Sequence, residues 1–240
     1  MGGNMEENNN LLPAMKDSLY APLPDLGIDY LELGIDAVMQ EGPLREVPVV
    51  KTLVALCKTG VALHERNMLR QLLAFIQELN SGMVSSATLN AHREELENDS
   101  KQAEKELGRI AIILNGQIDV FQSKVFGALY GSFLNGEILW DKFCELAEAN
   151  RRMFLADYKT LARMNWIKAK KPGVQSLYQL DRLASIGLLK NRSKTVAVFA
   201  GDDGSIPRSD DVEVLTHFEI TSFGRTFCQS ARSVLKVLSE

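Results

Sequence analysis

Apolar residues recur at intervals of three and four along most of this chain, while β-branched, strand-like patterning is confined to two short stretches near its end. That distribution predicts a mainly α fold with one β-hairpin. Met68, Leu69, Leu72, Leu73, Ile76 and Leu79 form one apolar stripe, closed by Asn80-Ser81-Gly82. A charged helix is predicted over about 87–97. Ser100 is placed to cap "KQAEKELGRIAIILN", and Asp119 to cap "VFQSKVFGALYGSFL". "RRMFLADYKTLARMN" reads as a further helix. "NGEILWDKF" imitates the exit of a calcium loop. With Gly136 as the turning glycine, however, the first, third and twelfth positions are Gly131, Phe133 and Lys142. Those lack the required oxygen ligands, so the stretch reads as a helix–turn–helix corner.

Charge divides the chain. Residues 151–240 hold 15 basic and 9 acidic groups, a net +6, whereas residues 1–150 hold 12 and 22, a net −10. Such asymmetry suggests modules with different partners, or two halves that neutralise each other. The expected organisation is a disordered tail over 1–20, an acidic α-helical domain over 21–150 and a basic domain over 151–240. "MGGNMEENNN" is polar and of low complexity, and no basic-then-apolar leader is present. Cys57, Cys144 and Cys228 are far apart among apolar residues. That spacing suits reduced thiols in a cytoplasm rather than a disulfide framework or a zinc site.

Residues 26–39, "LGIDYLELGIDAVM", carry Gly-Ile-Asp twice. On a helical wheel Asp29, Glu32 and Asp36 share one narrow stripe, and Gly27, Leu31, Gly34 and Val38 lie opposite. A second segment predicted from Pro48 to Leu63 places Gly60 centrally on its apolar face and Lys51 and Lys58 on the other. Interior glycines cost a helix about 0.5–1 kcal/mol each relative to Ala, so a close approach of the two segments is expected to compensate. The same width of apolar surface also fits an interfacial helix, with the lysines at lipid headgroups. A membrane span is not expected, because the second segment is only 16 residues long and carries two lysines.

The C-terminal third changes character. "VQSLYQLDRLASIGLL" is helical, and "TVAVFAG" and "VEVLTHFEIT" flank the turn-rich "GDDGSIPRSDD". "SFGRTFCQSARSVLKVL" closes as a helix that Thr221 can cap. Helix, helix, hairpin, helix is the order of a winged helix-turn-helix. Lys168, Lys170 and Lys171 precede the second helix and Lys190, Arg192 and Lys194 follow it, where phosphate contacts would fall. Gln175, Ser176, Gln179 and Arg182 would face bases. Asp181 and the acids around the turn (Asp202, Asp203, Asp210, Asp211, Glu213) oppose a strong grip on DNA and favour a protein-binding winged helix.

No catalytic motif is present: GxGxxG, GxxxxGK[ST], HExxH and GxSxG are absent. His64, His92 and His217 lie on separate predicted elements, without metal-ligand spacing. "GDDG" at 201–204 falls where a turn favours Asp and Gly in any case. The chain is therefore expected to be non-enzymatic, with no cofactor, metal or small-molecule substrate.

Leu180, Leu183, Gly187-Leu188-Leu189 and Ile220-Thr221-Ser222-Phe223-Gly224-Arg225 resemble the end of the abortive-infection alpha family, over residues 150–232. "PDLGIDYLELGIDAVMQEG" is similar to a segment of uncharacterised bacterial proteins. The resemblance implies a helical N-terminal part, a wing-like end and a role in phage resistance, and it brings no catalytic residues. Three readings follow for a cytoplasmic protein. They are an interaction protein that self-associates or meets a protein partner, a DNA-binding regulator, and a peripheral membrane effector using residues 25–63.

Overall fold

A computed structural model describes residues 12–20, 46–57, 62–166, 177–197 and 212–238. Eleven helices and one two-stranded antiparallel sheet make up the regular structure of these residues. The chain divides into two compact units. The first comprises Met1–Leu155 with Ser230–Val234, and the second Ala156–Gln229 with Leu235–Glu240. The division falls five residues beyond the expected boundary at 150, and a short C-terminal piece belongs with the first unit.

Within the first unit, residues 12–19 form α1. Met15, Ser18, Leu19 and Tyr20 are fully or almost fully buried, so the expected disordered tail over 1–20 is corrected across 12–20. The apolar residues of "LLPAMKDSLY" sit at helical spacing, which the low-complexity start of the chain obscured. Helix α2 spans Pro48–Cys57 and α3 spans Ala62–Leu79; of the segment predicted from Pro48 to Leu63, residues 58–61 lie outside the described residues and the last two begin α3. Ser85 caps α4 (Ser86–Asn98). Helix α5 (Ser100–Asn115) is capped by Asp99, whose side chain accepts from Lys101 N and Gln102 N, and not by Ser100. Asp119 caps α6 (Val120–Leu134) in a full capping box with Gln122. Helix α7 covers Trp140–Arg151.

Buried residues occupy α6 almost continuously from Gln122 to Ser132, as expected of a helix apolar around its circumference and central to a bundle. Its glycines allow close packing. A Cβ on Gly127 would stand 2.8 Å from the Phe75 carbonyl oxygen of α3, and one on Gly131 would stand 2.9 Å from the Met83 Cε. Phe126 stacks on Phe143 at 5.5 Å between ring centroids, and Tyr130 lies 5.5 Å from Phe143 and 5.6 Å from Phe75. Helix α6 stops at Gly136 (φ +72°), with Gly136 N bonded to Phe133 O and Glu137 N to Ser132 O, a glycine-dependent helix end that makes the predicted corner.

The second unit begins in α8 (Leu155–Trp166), which is separate from α7; the stretch from Arg151 predicted as one helix is broken at 152–154. Helix α9 (Leu177–Ser185) ends at Gly187 (φ +82°) by the same two-bond pattern, Gly187 N to Ala184 O and Leu188 N to Leu183 O. Strand β1 (Leu189–Ala197) pairs with β2 (Val212–Ile220) from Leu189↔Ile220 to Ala197↔Val212. The first strand thus begins six residues before the predicted "TVAVFAG", since the turn at Gly187 already redirects the chain. Helix α10 (Ser222–Ser230) starts at Thr221, whose Oγ1 accepts from Gly224 N, as predicted. A short α11 (Arg232–Leu235) ends the regular α structure. Tyr158, Leu161, Ala162, Leu180, Leu183, Leu188, Leu189, Phe218, Phe227, Cys228 and Leu235 are the buried apolar residues among those described in this unit.

Candidate functional site

Gln179 and Arg182 of α9, both expected to face bases, are bonded within the unit. Arg182 donates from Nε and Nη2 to the two carboxylate oxygens of Asp157 on α8, at 2.8 and 2.6 Å. Asp157 is fully buried, and Arg182 also lies over the Tyr178 ring at 5.6 Å. Thr160 Oγ1 donates to Gln179 Oε1 at 2.8 Å. What α9 turns outward is Leu177, Tyr178, Asp181 and Ser185; Leu177 is 41% and Tyr178 61% exposed.

The basic residues after α9 lie on β1, not in a loop. Lys190 faces Glu219 across the ladder with Nζ 3.0 Å from its carboxylate, and Arg192 Nε approaches the same group at 3.5 Å. The Lys190 hydrogen bond, with the nearby charges, holds the Glu219 carboxyl below its ordinary range. Lys194 sits on β1 opposite Leu215. Lys168, Lys170, Lys171, Gln175 and Ser176 lie outside the described residues, as does the turn with Asp202, Asp203, Asp210 and Asp211.

Gly27, Gly34, Lys58 and Gly60 also lie outside them. Lys51 is exposed on α2, 3.6 Å from Glu46. Val50, on the apolar face expected for close packing or for lipid, is buried. Among the described residues no helix is long and apolar enough to cross a membrane.

A buried polar chain absent from the sequence reading joins four segments of the first unit. Tyr20 Oη and Tyr130 Oη are 2.7 Å apart, Tyr130 Oη donates to Glu106 Oε1 at 2.5 Å, and His92 Nε2 lies 2.7 Å from the same oxygen. His92 Nδ1 reaches Glu95 at 3.3 Å. Burial pulls the His92 imidazole down, but the hydrogen bond to Glu106 and the charges of Glu106 and Glu95 outweigh it and leave the pKa raised. Burial and the Glu106 charge push both phenols up, so they remain protonated donors. The sequence signal for this network was slight. His92 occupies the apolar stripe Leu89–His92–Leu96, and Glu106 the stripe Glu106–Ile110–Ile113. A second buried group links Ser123 to Gln71 at 2.7 Å, while Asn150 and Gln122 donate to the carbonyls of Gln122 and Met153.

An open groove of about 780 Å³ runs between α5 and α7. Lys101, Lys105 and Arg109 line it at four-residue spacing on α5, beside Gly108 and Ile112. Helix α7 supplies Cys144, Glu148 and Arg151. Glu148 is already paired with Arg151 at 2.9 Å and Arg152 at 3.1 Å, and these partners lower its pKa. Burial raises the Cys144 thiol against the opposing pull of Arg109. No group of three His, Cys, Asp or Glu side chains placed to hold a metal occurs among the described residues. No family model, curated protein or solved structure matches the chain.

Proposed function

We propose that this chain is a non-enzymatic interaction protein whose second unit is a winged helix that binds protein rather than DNA. The observation that carries this reading is the outward face of α9. Gln179 and Arg182, the described side chains suited to reading bases, are bonded to Thr160 and Asp157, and Leu177 and Tyr178 are presented instead. Direct readout needs free donors and acceptors at base edges. An exposed tyrosine beside an apolar side chain is the composition of a protein-contact anchor. The pairing of Lys190 and Arg192 with Glu219 further reduces the positive field that phosphate contacts require. The order of α8, α9, the hairpin and α10 supports the winged-helix reading. Through the resemblance to the abortive-infection alpha family, phage resistance is the biological setting we propose.

A photo-crosslinking residue at position 178 of the full chain, expressed in its host, tests the reading. A recurrent protein adduct is expected there and not at Glu94, an exposed control in the first unit. The competing regulator reading takes over if the full chain binds labelled duplex DNA at micromolar concentration with a steep salt dependence, and if changing Lys190 and Arg192 to Ala abolishes that binding. In phage-challenged cells, Tyr178→Asp is expected to remove any protection that the intact chain confers.

A further inference from the structure

The groove between α5 and α7 has a basic rim and an apolar interior. Lys101, Lys105 and Arg109 succeed one another by four residues, so they form one stripe about 12 Å long at 1.5 Å per residue. Each is exposed, and among the described residues none of the three is in an ion pair. Arg151 faces them from α7, so four cations meet the carboxylates of Glu104 and Glu148, and Glu148 is itself bridged by two arginines. Between the charges lie Gly108, where an added Cβ would meet nothing within 4 Å, and Ile112, left 75% exposed. A groove that is cationic along one edge and apolar within suits an amphipathic helix carrying acids along one edge.

The chain's own sequence contains such a helix pattern. Residues 25–40, "DLGIDYLELGIDAVMQ", have four acidic residues and no basic one. Asp29, Glu32 and Asp36 fall on one stripe about 10.5 Å long at helical rise, close to the length of the cationic stripe. Apart from its glycines, Asp25 and Gln40, the rest of the sequence pattern is apolar. We propose that the groove between α5 and α7 receives residues 25–40 of a second copy, and that two copies close on each other through reciprocal contacts. An exchange of one segment for one groove in each direction is self-complementary and stops at two, as a two-fold dimer requires. The proposal rests on the reading of this chain as an interaction protein and names one partner, itself. It uses residues of the first unit, none of which belongs to α9.

Sedimentation velocity of the full chain over a range of concentrations is the test. A reversible dimer is expected, and it weakens as salt rises because its contacts are between exposed charges. Lys105→Glu with Arg109→Glu weakens association by about tenfold or more, and so does Asp29→Lys with Asp36→Lys. Joining all four substitutions restores opposite charge across the contact and recovers the dimer, which a general loss of folding would not do. Circular dichroism of each variant, unchanged from the parent, confirms that the chain is folded. A monomer at every concentration overturns the proposal, as does a dimer indifferent to Lys105→Glu with Arg109→Glu, or a combined variant no better than either pair. Tyr178→Asp is expected to leave the dimer intact, so the groove and the α9 surface fail independently.

Discussion

Asp157 of α8 and Arg182 of α9 form a two-pronged ion pair, with the carboxylate fully buried and the guanidinium 29% exposed. The first turn of one helix is thereby fastened to the last turn of the next. Breaking a buried ion pair by removing one partner typically costs about 3–5 kcal/mol. Arg182→Ala is therefore expected to open the second unit, lowering amide-exchange protection across α8 and α9. Arg182→Lys should fall between the two, because an ammonium lacks the planar fork that matches a carboxylate. Unchanged protection in Arg182→Ala would show that the pair is dispensable.

Two glycines on neighbouring helices are expected to respond in opposite directions to the same added methyl. At Gly127 a Cβ meets the Phe75 carbonyl at 2.8 Å, a backbone atom that cannot swing aside, and at Gly108 it meets open space. Gly127→Ala should destabilise by about 1–3 kcal/mol through overpacking. Gly108→Ala should stabilise by about 0.5–1 kcal/mol through helix propensity and a less disordered unfolded chain. Urea unfolding monitored by helical circular dichroism measures both, and equal shifts would refute the close approach of α3 and α6.

Gly224 gives the sharpest case. Thr221 N bonds to the Leu188 carbonyl at 3.1 Å, and a Cβ on Gly224 would intrude on that same oxygen at 2.1 Å. Gly224→Ala must displace either α10 or the turn after α9. Its expected loss of stability exceeds that of Gly127→Ala in the same unfolding measurement, and a smaller loss would mean that the α10 start can yield.

The His92–Glu106 pair links stability to pH. The folded imidazole has a raised pKa, so its stabilising contribution is full below the unfolded value of about 6.5 and is lost as pH rises through the folded value. Between about pH 6 and 9, Tm of the parent should fall more than that of His92→Gln, which carries no titrating group at this site. Parallel curves would show that the charge on His92 does not hold the network together. Tyr20→Phe, which removes the far end of the same chain of hydrogen bonds, should keep the pH dependence while lowering Tm throughout.

Local chemistry was legible where neighbours along the chain supply the partners. The caps at Asp119 and Thr221, the stripe from Met68 to Leu79 and the corner at Gly136 are all settled within a few residues, because capping and periodicity are short-range forces. The helix predicted to run on to Leu189 instead ends at Ser185, where the turn at Gly187 leads into β1. Asp99 displaced Ser100 as the cap of α5 by a single position, because either short polar side chain could accept from the first-turn amides. The helix–helix–hairpin–helix order of the second unit was likewise written in its turn residues and β-branched runs.

Tertiary packing decided the rest. The sequence reading sought a close glycine approach at Gly27, Gly34 and Gly60. Among the described residues the glycines that closely approach another segment's backbone are Gly127 and Gly224, where the obstructing carbonyls belong to Phe75, 52 positions away, and Leu188, 36 positions away. Residues 12–20 join the core with Met15 and Leu19 buried, and with Tyr130 and Val49, far along the chain, bonding the polar groups of Tyr20 and Ser18. Gln179 and Arg182 read as base contacts on a helix considered alone, and folding gave them Thr160 and Asp157. Periodicity shows which face a helix turns inward. Which polar side chain meets which depends on the distances between helices, and those are set by the packing of side chains far apart in sequence.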